Sequence, residues 1–164
     1  MYDYDAVIVM GGNDNARLPV ALTCLEKNEA KYLILTGGVL KTARVIALNK
    51  GVSPGRIKIA NPDSYTAQDE VIQAVKIAEE NNFKTLLVIT EKPHWFFRVK
   101  YFFKKTAPAD LIIKHRTSIR TPLWYWVKEI IGCALMLSFP RQEKSEAYEF
   151  IRKFWKRISP LRNG

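Results

Sequence analysis

Short apolar runs alternate along this chain with longer segments in which apolar residues recur at helical spacing. The runs predict five strands, at 6–10, 32–36, 57–59, 85–90 and 110–114. A continuous apolar run is typical of a strand that is covered on both faces, as in a parallel sheet with helices on each side. The pattern therefore predicts an α/β fold.

The segments between the runs predict helices, and their positions fix the topology. Helical periodicity extends over 17–29, 43–50, 64–81, a segment from Pro93 onward, and 122–139. Strands that alternate with helices form right-handed βαβ units. We therefore expect a Rossmann-like doubly wound, mainly parallel five-stranded sheet in the order 3-2-1-4-5. A single domain would cover 1–164, with its core at about 5–139 and a C-terminal helical extension.

Two glycine pairs follow the first two predicted strands. Gly11-Gly12, with Asn13 after it, ends strand 1, and Gly37-Gly38 ends strand 2. A strand, a glycine turn and a helix in this order offer free backbone N–H groups to an anion such as phosphate. A simple tight turn is the alternative. In the expected topology the turn after strand 1 faces Thr90, at the end of strand 4, across the crevice where such sheets bind ligands.

Three polar side chains fall near this crevice. His94, at the start of the helix after strand 4, is a candidate general acid or base, because imidazole gives and accepts protons near neutral pH. Arg98 is four residues further on the same helical face, and Arg17 follows the first turn, so both are candidates to bind an anion. A packed histidine and ordinary salt bridges, for Arg98 to Asp69 or Glu129, are the alternatives.

Composition and charge narrow the classes of partner. The net charge of +10, from 26 Lys and Arg against 16 Asp and Glu, favours anionic partners. No apolar run is long enough for a membrane span and the start lacks a basic signal region, so we expect a cytoplasmic protein. The basic amphipathic helix at about 143–158 suggests peripheral contact with the inner face of an anionic membrane, and nucleic acid ranks last because no recognition motif accompanies the charge. We expect the thiols of Cys24 and Cys133 to be buried. No group of His, Cys, Asp and Glu residues has a spacing typical of a metal site.

The order of these features resembles the YdcF/SanA/ElyC family of α/β proteins of largely uncharacterised function. The features are the two glycine turns, Arg17, the segment 51–57, Ser64-Tyr65-Thr66, and Val88-Ile89-Thr90 followed by His94 and Arg98, and the resemblance covers roughly 5–139. It implies a ligand pocket lined by the glycine turns, Thr66, Thr90 and these cations. It also implies a link to envelope polysaccharide metabolism and, through one member, S-adenosylmethionine as a cofactor or ligand.

The chain departs from the family pattern at four positions. Thr42 stands where the family usually has Glu, Asp69 where it has Asn, and Glu91 where it has Ser, while Arg98 comes four rather than three residues after His94. Asp69, Glu91 and Glu129 are the carboxylates that would replace the family Glu in catalysis with His94. Two functions stay open: an enzyme, a hydrolase or transferase, acting on a phosphorylated nucleotide or lipid-linked sugar phosphate, and a non-catalytic binder of a nucleotide-like ligand such as S-adenosylmethionine.

Overall fold

The computed structural model describes residues 2–11, 14–37, 40–61, 66–118 and 123–138, and for residues 14, 15, 124, 128, 132 and 135–138 it describes the backbone alone. The chain forms two compact units, Met1–Pro122 and Leu123–Gly164. The sheet and its flanking helices belong to the first unit. Of the second unit the structure describes one helix.

The described elements alternate between strand and helix. In chain order they are β1 (Tyr4–Val9), α1 (Asp14–Glu26), β2 (Ala30–Leu35), α2 (Leu40–Asn49), a 3₁₀ turn (Pro54–Arg56), β3 (Ile57–Ile59), α3 (Ala67–Glu80), β4 (Thr85–Thr90), α4 (Lys92–His94), a π-helical segment (Trp95–Val99), α5 (Lys100–Thr106), β5 (Ile112–Thr117) and α6 (Leu123–Ser138).

The sheet has the predicted topology. Its strand order is β3-β2-β1-β4-β5, and all four neighbouring pairs are parallel. At the centre, Val7 of β1 lies opposite Leu33 of β2 on one side and Leu87 of β4 on the other. The Rossmann-like fold is thus confirmed, and the point where the strand order reverses lies between β1 and β4.

Helices cover both faces of the sheet because successive strand residues point to opposite sides. Val7 and Val9 pack with the buried residues of α1 and α2, whereas Ala6, Ile8 and Met10 pack with those of α3 and α5. Since β1 is buried on both faces, its apolar run is continuous rather than alternating. This burial holds the carboxyl end of β1 in place.

The last strand begins and ends later than the sequence predicts. Expected at 110–114, β5 spans Ile112–Thr117, because a turn that is closed by a bond from Leu111 N to Pro108 O delays it. His115 and Arg116, expected to follow the strand, therefore lie within it. The ring of His115 stacks on Trp95, with centroids 4.7 Å apart, and its Nε2 donates to Thr90 O over 3.1 Å.

The helix after β4 begins one residue before the expected Pro93 and contains a feature that the sequence does not predict. Residues Trp95–Val99 are π-helical, between the short α4 and the longer α5. π-helical turns are rare in proteins, but a large share of those that occur lie at functional sites. Here the π segment begins directly after His94 and includes Arg98.

The helix of the second unit, α6, falls inside the predicted range 122–139. Among its described side chains, four large apolar ones are exposed: Leu123, Val127, Ile130 and Ile131. Among the described residues, no helix is long and apolar enough to cross a membrane. Cys133 of α6 is partly exposed rather than buried as expected, whereas Cys24 of α1 is fully buried, and neither is in a disulfide.

Candidate functional site

The candidate site lies at the carboxyl ends of β1 and β4, in the first unit. There the chain gathers Arg17 from α1, Glu70 from α3, Glu91 directly after β4, and His94 at the end of α4. Arg17, Glu70 and Glu91 are all buried, although charged side chains are seldom buried without a partner. The contacts made by each determine what chemistry the site supports.

The turns after β1 and β2 touch each other through two glycines. A Cβ added at Gly11 would lie 2.8 Å from the Gly37 Cα, and one added at Gly37 would lie 2.7 Å from the Gly11 Cα. Gly37 also has φ of +84°, a conformation that L side chains rarely adopt. Glycine at both positions is therefore required for the two strand ends to approach this closely.

The carboxyl group of Glu70 occupies the position at this turn where an external anion was expected. Gly11 N donates to Glu70 Oε2 over 2.8 Å, and the Thr36 hydroxyl lies 2.8 Å from the same oxygen. The expected anion-binding N–H of Gly11 is thus already bound to an acidic group of the protein itself. A ligand anion at this N–H would have to displace Glu70.

Burial raises the pKa of Glu70 above its ordinary value, and the bonds from Gly11 and Thr36 and the charges of His94 and Arg17 offset only part of this effect. The Thr36 hydroxyl also lies 3.0 Å from Val9 O, which can only accept. The Thr36 hydroxyl thus donates toward both Glu70 Oε2 and Val9 O. Burial remains the largest influence on the Glu70 carboxyl, and it favours the neutral form.

Arg17 and Glu91 form a buried ion pair on the other side of the turn. Arg17 Nε lies 3.2 Å and 3.0 Å from the two Glu91 carboxyl oxygens, and Nη2 contacts Oε2. Arg17 Nη1 donates to Met10 O and Gly11 O. Arg17 was predicted to bind a ligand anion, but its guanidinium holds the turn after β1 against the end of β4.

The pKa of Glu91 is displaced in the opposite direction to that of Glu70. Burial alone would raise it, but the hydrogen bonds and charge of Arg17, together with the charge of His94, lower the pKa below its ordinary value. Glu91 is therefore a fixed anion. Glu91 is one of the three carboxylates expected to replace the glutamate of the YdcF/SanA/ElyC pattern, and it lies in the site.

His94 lies close enough to both carboxyl groups for its charge to lower the pKa of Glu70 and of Glu91. Its side chain is partly exposed, in contrast to the two buried glutamates. Arg98, in the π-helical segment, is only 7% exposed. The predicted general acid or base is thus the titratable group of this cluster that solvent reaches.

Thr90 ends β4 with a buried hydroxyl. The residue is completely buried, and its Oγ1 has no hydrogen-bond partner among the residues that the structure describes; the hydroxyl oxygen of Ser118 is in the same state. The backbone pairs the two residues through Ser118 N and Thr90 O, 3.4 Å apart. Since buried polar atoms are seldom left without a partner, the Thr90 hydroxyl is a candidate contact for a ligand.

Thr66 and Asp69, both predicted site residues, form the N-terminal cap of α3. Asp69 N donates to Thr66 Oγ1 over 3.1 Å, and Thr66 N and Oγ1 donate to Asp69 Oδ2 over 3.2 and 2.7 Å. This reciprocal arrangement is a capping box. The Asp69 carboxylate is thus engaged within its own helix, and the next residue, Glu70, supplies the carboxyl group at the glycine turn.

Other predicted site residues belong to the second unit or fall outside the described residues. Glu129 is on α6, in the second unit, where it is 2% exposed. Gly12, Asn13 and Gly38 are outside the described residues, as is the predicted C-terminal helix. Among the described parts of the chain, no group of three or more His, Cys, Asp or Glu side chains is placed to hold a metal ion.

Glu70 is the site residue that sequence reasoning missed, although its position carried a signal. The buried positions of α3 recur at helical spacing, and Glu70 falls among them: Ala67, Glu70, Val71, Ala74, Val75, Ile77 and Ala78. A glutamate in the apolar stripe of an amphipathic helix must find a buried partner. Here that partner is the glycine turn.

Comparison with protein-family models and with curated proteins finds no match for this chain. The resemblance to the YdcF/SanA/ElyC family therefore stays a prediction from the order of the motifs. The contacts of Arg17, Glu70 and Glu91 are observed independently of that resemblance.

Proposed function

We propose that this protein is an enzyme that performs acid–base catalysis at the junction of β1 and β4. The observation that carries the proposal is the pair of buried carboxyl groups, Glu70 and Glu91, whose pKa values are displaced in opposite directions beside His94. Titratable groups whose surroundings separate their pKa values are a common basis of acid and base assignments in enzymes. Hydrolysis and group transfer, the reaction classes proposed for this protein, both use an acid and a base of this kind.

The three side chains take different roles. His94 exchanges the proton with the substrate, because it is the partly exposed member of the cluster. Glu70 holds or accepts a proton behind it, since burial favours its neutral form. Glu91 is a positioning residue: held by Arg17, it supplies a fixed negative charge beside His94.

The proposed substrate is an anionic, phosphorylated molecule, either a nucleotide or a lipid-linked sugar phosphate. The net charge of +10 favours anions, and Arg98 adds a guanidinium on the segment that carries His94. The groups proposed to contact the substrate are Arg98, whose guanidinium suits paired hydrogen bonds to a phosphate, and the Thr90 hydroxyl.

The experiment begins with a thermal-shift screen of nucleotides, sugar nucleotides and prenyl phosphates, because a ligand that binds only the folded state raises its Tm. Each compound that raises the Tm is then incubated with the wild type, His94→Ala and Glu70→Gln, and product is measured. Loss of a general acid or base lowers turnover by about 10²–10⁴-fold. His115→Gln changes the only other histidine and is the matched control; we expect its turnover to stay within about tenfold of the wild type.

Two results would contradict the proposal. One is unchanged turnover in His94→Ala, and the other is the absence of both a Tm shift and a product with every compound. Bound ligand without product in the wild type supports the second candidate, a non-catalytic binder of a nucleotide-like ligand such as S-adenosylmethionine. One observation favours that candidate: Arg17 holds Glu91 as a fixed anion, so this carboxylate is not placed to take a proton from a substrate.

A further inference from the structure

We propose that the outer side of the segment 92–106 binds the surface of an anionic phospholipid bilayer. This segment comprises α4, the π-helical segment and α5. We call its exposed side the basic aromatic face and define it by the exposed residues of the segment: Lys92, Phe96, Lys100, Tyr101, Lys104 and Lys105. The face contains lysines and aromatic residues only.

The spacing of these residues places them on one side of the helix. Lys92, Phe96, Lys100 and Lys104 recur every four residues, with Tyr101 and Lys105 in the adjacent row. The opposite side is buried and includes Arg98, Val99 and Phe103. The basic aromatic face is therefore the solvent side of a helix that is anchored in the core through its other side.

The positive charge of this face is not neutralised locally. The segment 92–106 contains no Asp or Glu. The acidic residues that flank it are engaged elsewhere, Glu91 with Arg17 and Asp110 with Lys84. Within the described parts of the chain, none of the four lysines of the face forms an ion pair. Clustered lysines of this kind are attracted to the negative potential of an anionic membrane.

The two aromatic rings distinguish this face from an ordinary solvated lysine surface. Phe96 is 63% and Tyr101 50% exposed, and Lys105 Nζ lies 5.0 Å from the centre of the Tyr101 ring. Exposed aromatic rings beside lysines suit the headgroup region of a bilayer, where the rings enter the apolar boundary and the ammonium groups stay in the phosphate layer. A nucleic-acid duplex would use the lysines, but its bases are stacked inside the helix and offer no apolar layer to Phe96.

The test is co-sedimentation of the full-length protein with vesicles of phosphatidylcholine alone or of phosphatidylcholine containing phosphatidylserine. We expect binding to the anionic vesicles and little binding to the neutral ones. Lys100→Gln/Lys104→Gln should weaken binding by about tenfold or more, as should Phe96→Ser. These positions are exposed, so circular dichroism should show the wild-type fold.

The matched control is Lys27→Gln/Lys50→Gln, which lowers the net charge equally. Both lysines are exposed and follow α1 and α2, which pack on the face of the sheet opposite to α5. Equal loss of binding in this control would show that only total charge matters, and it would overturn the proposal. Three other results would overturn it too: wild-type binding in Phe96→Ser, no binding of the wild type to anionic vesicles, or a loss of binding only in Arg152→Gln/Lys153→Gln. Tight binding to a short DNA duplex in place of vesicles would assign the face to nucleic acid.

Discussion

Arg17 and Glu91 are joined in an ion pair in which neither side chain is more than 2% exposed. The pair connects the first helix to the end of the central strand β4 and, through Met10 O and Gly11 O, also fixes the turn after β1. A buried pair costs desolvation energy for both charges, and loss of one partner leaves the other uncompensated. The order of the site therefore depends on both residues together.

We expect Arg17→Met to lower the free energy of unfolding by about 3–5 kcal/mol, because Glu91 would stay buried without its partner. The double variant Arg17→Met/Glu91→Met should recover much of this loss. Urea denaturation of both variants measures it. Arg116→Met is the control, since its pair with Glu29 is 40% and 25% exposed and should contribute about 1 kcal/mol or less. Equal losses for Arg17 and Arg116 would contradict the assigned role.

The contact between the two glycine turns predicts an unequal effect of the same substitution. Gly37 and Gly51 have nearly equal φ values, +84° and +82°, but a Cβ at Gly51 meets nothing within 4 Å. Gly51→Ala should therefore lower the free energy of unfolding by about 1–2 kcal/mol, the cost of placing a side chain on a left-handed backbone. Gly37→Ala should lower it by a further ~1–3 kcal/mol because of the clash with Gly11. Chemical denaturation compares the two, and similar losses would argue against the contact.

The cap of α3 predicts that Asp69 contributes to stability rather than to chemistry. We expect Asp69→Ala and Thr66→Ala each to lower the free energy of unfolding by about 1 kcal/mol, because each removes half of the same capping box. The ligand-induced Tm shift should stay as in the wild type. If Asp69→Ala abolished turnover at unchanged stability, the carboxylate would be catalytic after all.

Glu70 should make stability fall as the pH rises. The pKa of this carboxyl is raised in the folded protein, so the folded state binds the proton more tightly than the unfolded chain does. Its contribution is fully present below the ordinary pKa of a glutamate, about 4.3, and is lost as the pH rises through the raised value. Glu70→Gln removes this titration.

The difference in Tm between Glu70→Gln and the wild type, measured across the pH range, should therefore move in favour of the variant as the pH increases. Gln keeps an acceptor oxygen for Gly11 N, so the turn itself stays bonded. Glu79→Gln, an exposed change on the same helix, is the control and should show no such trend. A constant difference for Glu70→Gln would contradict the raised pKa.

The sheet could be predicted because each strand is determined by residues that are close together in the sequence. Continuous apolar runs marked β1, β2 and β4, and the alternation with helices gave the strand order. The capping box of α3 is local in the same sense, since Thr66 and Asp69 are only three positions apart. The late start of β5 was missed because a turn that ends at Leu111 decides it rather than hydrophobicity.

The site was predictable in position but not in its connections. The rule that ligands bind where strand order reverses brought Gly11, Thr90 and His94 together. Which carboxyl group faces which donor depends on packing between distant elements. Asp69 and Glu70 are adjacent acidic residues, and only the buried stripe of α3 separates the capping residue from the site residue. The π-helical turn likewise left no sequence signal.

The contact between Gly11 and Gly37 ties the residue type at one position to the residue type at the other. Each backbone fills the space that a side chain at the other position would need, and glycine has no smaller replacement. A change at one position therefore has no compensating partner at the other. Any lineage that keeps this crevice must keep both glycines, although a helix and a strand separate them along the chain.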